Sequence, residues 1–286
     1  MRPILAILVL SCPSCMIGVD SLEGFEGNVQ YTSFDSSEPY QGEEVIDAQL
    51  ELHAGQLTLE AGAPDRAYEL TLSYNEEAFE PQVDYRRSGS VGHLNFQLEG
   101  QGKVRLHSGK TRLNVKLNPN SNLKVRTRTG AGQNVIDFSG LKLQELRLEA
   151  GVGKTRLSML SPNAIVCRKM DIENGVGALE VTGLGNFRFE ELEFRGGVGA
   201  ATIDFSGDWE TAGEVDIKVG IGGVEISLPR DLGVELKVRK SFLSGLSLKG
   251  FLKTEGGYLS ENFEKAHKKM RLNISAGIGG IEIDWI

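Results

Sequence analysis

The sequence predicts an all-β protein. It reads as a β-solenoid, right-handed and β-helix-like, of stacked strand–Gly-x-Gly–strand repeats with a less regular β N-terminal part. Three observations carry this reading. The 286 residues include 36 Gly and 8 Pro, so glycine is about 12–13% of the chain against a usual share of roughly 7%. A Gly-aliphatic-Gly triplet recurs at near-constant spacing. Around each triplet apolar and polar residues alternate with period 2, as in a half-buried strand.

The triplets are Gly130-Ala131-Gly132, Gly151-Val152-Gly153, Gly175-Val176-Gly177, Gly197-Val198-Gly199, Gly220-Ile221-Gly222 and Gly277-Ile278-Gly279. The first five begin 21, 24, 22 and 23 residues apart, and the last follows after 57. Five residues before each lies an apolar residue: Val125, Leu146, Met170, Leu192, Val215 and Leu272. Six residues after the first Gly lies another: Ile136, Leu157, Val181, Ile203, Ile226 and Ile283. Leu192-Glu193-Phe194-Arg195 and Val224-Glu225-Ile226-Ser227-Leu228 illustrate the alternation on either side of the bend. Glycine suits the bend because it tolerates positive φ and close backbone approach. The aliphatic between the glycines is expected to point inward and stack on its counterpart in the next unit. The pentapeptide Ile-Asp-Phe-Ser-Gly occurs at 136–140 and again at 203–207, three periods apart.

Four segments follow in order: an export signal over 1–15, a linker over 16–28, an N-terminal β domain over 29–118 and the repeat domain over 119–286. In the N-terminal part, Leu50-Glu51-Leu52-His53-Ala54-Gly55 and Val104-Arg105-Leu106-His107-Ser108-Gly109 keep the apolar-to-Gly spacing of five but lack the second Gly. Terminal units of repeat arrays depart from the pattern because they cap an edge that would otherwise pair with another chain. Asn118-Pro119-Asn120-Ser121 marks the boundary, and the two parts could share one sheet system. Helix is nearly absent; Glu261–Lys269 could form a turn or two.

With 31 basic and 39 acidic residues the net charge is −8, which offers no footprint for nucleic acid or anionic lipid headgroups. The N-terminus, Met1-Arg2-Pro3 followed by Ile4–Leu10 and Ser11-Cys12, has the grammar of an export signal. Its apolar run is far shorter than the roughly 20 residues that span a bilayer. Val9-Leu10-Ser11-Cys12 resembles a lipobox, which would make Cys12 the lipidated first residue of the mature protein. The expected location is therefore extracytoplasmic, in the periplasm or at the cell surface, with a membrane contact only through that lipid.

Candidate chemistry is sparse. Cys12 and Cys15 form C-x-x-C without the βα context or second pair that redox or zinc sites need. Cys167 reads as a packed thiol. Gly151-Val152-Gly153-Lys154-Thr155 imitates the tail of a phosphate loop, but Leu148 stands where that motif needs Gly, and the strand pattern continues through Arg156-Leu157. His53, His93, His107 and His267 show no ligand spacing. No catalytic residue, cofactor or metal is expected. The best enzymatic alternative is a β-helix carbohydrase: stacking puts Asp171, Glu193 and Asp216 in one outward row, about 5 Å apart, a retaining-glycosidase distance. Arg147, Arg195 and Lys218 beside that row suggest a solvated, neutralised face instead. Asp137 and Asp204 fall roughly 14 Å apart, too far to cooperate.

The repeats from Leu117 onward resemble the toastrack domain of bacterial cell-envelope proteins, a group that includes the C-terminal region of cell-wall-active antibiotic response proteins. The resemblance is carried by Leu117-Asn118-Pro119, by Gly130-Ala131-Gly132 with Ile136–Leu141, by Leu146–Gly153, by Leu228-Pro229 and by Leu272–Ile283. Residues 30–118 resemble its N-terminal partner domain. This implies an extracytoplasmic, non-catalytic domain linked to adhesion or to sensing envelope stress, with a protein or glycan of the envelope as partner. It supplies no catalytic residues. Stress regulators of this group carry membrane helices ahead of the domain, and no run in this sequence approaches spanning length. A purely structural spacer is the remaining alternative.

Overall fold

A computed structural model describes residues 30–100, 111–210, 213–240 and 244–286, and Tyr31–Ile286 forms one compact unit. The N-terminal strands are β1 (Tyr31–Pro39), β2 (Val45–Ala61), β3 (Arg66–Asn75), β4 (Phe79–Ser88), β5 (Val91–Gly100) and β6 (Arg112–Leu117). The repeats supply β7 (Asn122–Asp137), β8 (Lys142–Ser158), β9 (Cys167–Thr182), β10 (Phe189–Val198), β11 (Ala201–Asp204) and β12 (Glu214–Leu228). Then come β13 (Leu232–Lys240), β14 (Ser244–Leu248), β15 (Phe251–Thr254), β16 (Gly257–Ser260) and the last strand β17 (Lys268–Trp285).

Each long strand is one rung, bent at its Gly-x-Gly corner, so that the halves before and after the corner make two faces, here the first and second sheet, of one continuous 17-stranded system. Rungs stack in parallel and in register: β2 on β7, β7 on β8, β8 on β9, and β9 on the broken rung β10/β11, which carries β12. Val125, Leu146, Met170, Leu192, Val215 and Leu272 are buried in the first sheet, and Ile136, Leu157, Val181, Ile203, Ile226 and Ile283 in the second. No rung can hide its apolar side alone, so stacking and burial are one event.

Chain order and stacking order part at both ends. After β12 the chain builds β13 and β14 and the β15–β16 hairpin. β17 then returns to lie between β12 on one side and β13/β14 on the other. The excursion accounts for the 57-residue interval: Gly222 and Gly279 are register partners on adjacent rungs. At the other end β2 lies between β7 and the split outer rung β5/β6. There the edges are covered antiparallel, β5 by β4 and β6 by β3, which β1 pairs in turn. Antiparallel cover protects a parallel edge from pairing with other chains. The stretches 29–118 and 119–286 meet along β2 and β7. Asn118–Ser121 is the turn between β6 and β7, held where the Ser121 hydroxyl donates to the Glu43 carbonyl at 2.6 Å.

The turns between rungs explain the repeated pentapeptide. Asp137 Oδ1 accepts from the Ser139 amide (3.0 Å) and hydroxyl (2.6 Å), and Asp204 accepts from the Ser206 amide (2.8 Å) and hydroxyl (2.7 Å). These are Asx turns, each tucking a fully buried Phe, Phe138 or Phe205, between the sheets. Buried asparagines staple neighbouring turns: Asn163 Nδ2 donates to the Leu143 and Phe187 carbonyls, and Asn186 Nδ2 to that of Met159. Residues 261–265 form turns, and the one helical element among the described residues is a 3-10 turn at Leu184–Phe187.

Two expectations are corrected. The residue between the glycines does not point inward. Val152 (55% exposed), Val176, Val198, Ile221 and Ile278 stand outside, in register on successive rungs. The reason is a phase change. Thr129 and Asn134 both face the interior, and the residues between them turn outward to round the corner. In β2 the missing glycine is the first of the pair: Gly55, at φ +135°, is in register with Gly132, the second. His53 takes the other place, and its Nδ1 lies 3.0 Å from the Leu98 carbonyl oxygen.

Candidate functional site

The corner is where backbone packing is tightest. The second glycines, Gly132, Gly153, Gly177, Gly199, Gly222 and Gly279, lie at φ between +136° and +146°. A β-carbon on any of them would fall inside the carbonyl oxygen of the glycine one rung below. Those on the first glycines, Gly130, Gly151, Gly175, Gly197, Gly220 and Gly277, would also collide with a carbonyl oxygen of the neighbouring rung. The first column floors a shallow groove along the stack. One stretch of about 580 Å³ runs over Gly130, Gly151, Gly175 and Gly197, and another of about 610 Å³ continues past Gly220 to Gly277. Its charged wall is a register column of Arg128, Glu149, Glu173, Arg195 and Lys218, and the aliphatic crest follows one residue after each floor glycine.

On the outer face of the first sheet Asp171 and Glu193 are register neighbours, with Arg147 before them and Asp216 after. Cations clamp this row. Arg195 reaches Asp171 (2.7 Å), Glu193 (2.7 Å) and Glu173, while Lys218 Nζ meets Glu193 at 2.8 Å. Hydrogen bonds from Arg195 and Lys218 pull the Glu193 carboxyl down to about 2, and bonds from Arg128 and Arg147 lower that of Glu149. A glycosidase acid needs the opposite, a carboxyl raised so that it still holds its proton near neutrality. Glu193 is a fixed anion, and its geometry serves cross-rung adhesion.

The other candidates are structural. Thr155 is fully buried and accepts from Asn134 Nδ2 at 3.1 Å, and Lys154 pairs with Glu180, all within strand. Cys167 is buried, and desolvation pushes its thiol up to about 12, so it is no nucleophile. His93 and His267 are exposed, and no metal-holding cluster of His, Cys, Asp and Glu occurs among the described residues. No helix among them is long and apolar enough to cross a membrane. Cys12, Cys15 and His107 lie outside the described residues. The exposed crest escapes a sequence reading although a signal for it is present. The two apolar markers of each unit are 11 residues apart, an odd interval that strict alternation cannot bridge without a flip of face.

No curated protein matches the chain. Similar solved structures include a candidate cell adhesion protein from Clostridium sporogenes ATCC 15579, at 20% identity and TM-score 0.45, covering 90% of this chain and 100% of that one. Candidate adhesins from Parabacteroides merdae ATCC 43184 (12% identity, TM-score 0.37, 90% and 98% covered) and Bacteroides fragilis NCTC 9343 (9%, TM-score 0.33, 89% and 97%) are also similar. The family described as the N-terminal domain of toast_rack, DUF2154, matches residues 25–182 and again 166–227, through the first rungs and past residue 118. The chain belongs to this toast-rack family.

Proposed function

We propose that the protein is a non-catalytic, extracytoplasmic binding protein, an adhesin or envelope-stress scaffold, that meets a cell-envelope component across the outer face of its first sheet. One observation carries the reading. The row that would have to do chemistry, Asp171 and Glu193, is neutralised by Arg195 and Lys218 into an ion-paired surface. The export grammar of Met1–Cys12 supports the location, and its lipobox-like end supports an anchor at Cys12.

The test is in-cell crosslinking from a photoreactive residue at Arg147 or Asp216, with Glu225 on the second sheet as control. Adducts with an envelope protein or glycan from the first sheet, retained in D171N/E193Q, are expected. Crosslinks from neither face, or a glycan whose turnover vanishes in D171N/E193Q, would overturn the reading. Labelled fatty acid is expected on the chain and absent from C12S; equal labelling of C12S refutes the anchor.

A further inference from the structure

The crest and the charged wall of the groove share a property visible only when they are read along the stack. From β7 to β17 the crest runs Ala131, Val152, Val176, Val198, Ile221, Ile278, so it widens from one end to the other. From β2 to β13 the wall runs Glu51, Arg128, Glu149, Glu173, Arg195, Lys218, Ser275, Arg239. About a point between β9 and β10 both series are complementary to their own reversal. Val176 then faces Val198, Val152 faces Ile221 and Ala131 faces Ile278, small against large. Glu173 faces Arg195, Glu149 faces Lys218 and Glu51 faces Arg239, acid against base, while Arg128 faces the neutral Ser275.

We infer that the corner is the interface of an antiparallel two-fold homodimer, the crest of one copy lying along the crest of the other with the two grooves on the same side. A two-fold axis in the contact plane, perpendicular to the stack and passing between β9 and β10, brings like columns face to face in reversed order. Isologous pairing requires just this self-complementarity. A two-fold along the stack would instead set charged wall against second sheet and each crest residue against its own copy. Val152, Val176, Val198, Ile221 and Ile278 are each about half exposed in the single chain. The glycine floor flanks the crest on one side; on the other the column runs Gln133, Lys154, Ala178, Ala200, Gly223, Gly280, so that under this axis the long Gln133 and Lys154 face Gly280 and Gly223. Glu51, Arg128, Glu149, Glu173, Arg195 and Lys218 keep their ion pairs within the chain, and the second copy adds long-range attraction that salt weakens. This inference stands apart from the envelope-partner reading, whose test reads crosslinks and not oligomeric state.

Sedimentation of the purified chain tests it, over a range from about 1 to about 200 µM because dimer formation follows mass action. The wild type is expected to pass from monomer to dimer within that range. V176D alone and V198K alone are expected to stay monomeric, with urea midpoints equal to the wild type's when all are measured at about 1 µM, where the wild type is monomeric too, since both sites lie outside the core. An equimolar mixture of the two is expected to dimerise. The antiparallel register sets the carboxylate introduced at position 176 of one copy against the ammonium introduced at position 198 of the other, and it leaves the remaining Val pair intact. A wild type that stays monomeric at the highest concentration overturns the proposal. So do single variants that dimerise like the wild type, or a mixture that does not recover.

Discussion

Gly177→Ala and Val176→Ala, one residue apart, should have very unequal consequences. Gly177 sits at φ +136°, and a β-carbon there would fall inside the Gly153 carbonyl oxygen of the rung below. The backbone conformation alone costs an L-residue about 1–3 kcal/mol. Parting the rungs to relieve the overlap forfeits one or two ladder hydrogen bonds of about 1 kcal/mol each. Together these give a loss of about 2–5 kcal/mol. Val176 is 47% exposed with its methyls outside the stack, so its truncation should stay within about 0.5 kcal/mol. Ile203, 1% exposed on the second sheet, provides the core reference at about 2–5 kcal/mol for truncation to Ala. Urea unfolding followed by circular dichroism measures all three, with the slope checked for constancy so that midpoints convert to stability. Gly177→Ala within about 1 kcal/mol of wild type, or Val176→Ala as costly as Ile203→Ala, would refute the outward corner.

The Asx turns and the charge ladder give further expectations. Asp204→Ala removes the acceptor of the Ser206 amide and hydroxyl and should cost about 1–2 kcal/mol in the same urea experiment. Asp137→Ala should behave alike; no loss at either site would contradict the turn's role. Glu193 is held at about 2, below its ordinary 4.5, so its ion pairs stabilise the fold above pH 4.5 and fade as pH falls toward 2. The destabilisation by Glu193→Gln should accordingly be largest near neutrality and vanish in acid. NMR titration of the Glu193 carboxyl should show its midpoint rise toward 4.5 in Arg195→Met, and an unmoved midpoint would contradict the assigned clamp.

Much of this architecture is legible in the sequence because it is a repeat. The same steric demand recurs at each of these corners, so Gly130 and Gly132 are echoed on each rung from β7 to β12 and on β17, and the buried Val125 and Ile136 columns follow from fixed spacings. What escapes falls where a local rule breaks. Alternation assigns faces only along an uninterrupted strand, and at the corner two interior residues are separated by four that are not. Pattern alone therefore puts the Val152 to Ile278 column on the wrong side. The placement of β17 between β12 and β13 is a long-range pairing that no local pattern states. A trace of it exists: Gly220–Ile226 and Gly277–Ile283 are near duplicates, GIGGVEI and GIGGIEI, and they are register partners. The clamp on Glu193 likewise depends on Arg195 reaching across to Asp171 on the rung beside it, which follows only from the stacked register.

Disulfide trapping along the outer column of the second sheet tests the stacked order most directly. Glu225 and Glu282 are register partners despite the chain between them, and Ser247 lies on the far side of Glu282. Neighbouring rungs about 4.8 Å apart put paired cysteines within the roughly 4.4–6.8 Å that a disulfide spans, whereas two rungs do not. With Cys12 and Cys15 replaced by Ser, E225C/E282C should close on mild oxidation, and E225C/S247C should remain open. Closure of E225C/S247C with E225C/E282C open would mean that β14 follows β12 in chain order, and the out-of-order stack would be wrong.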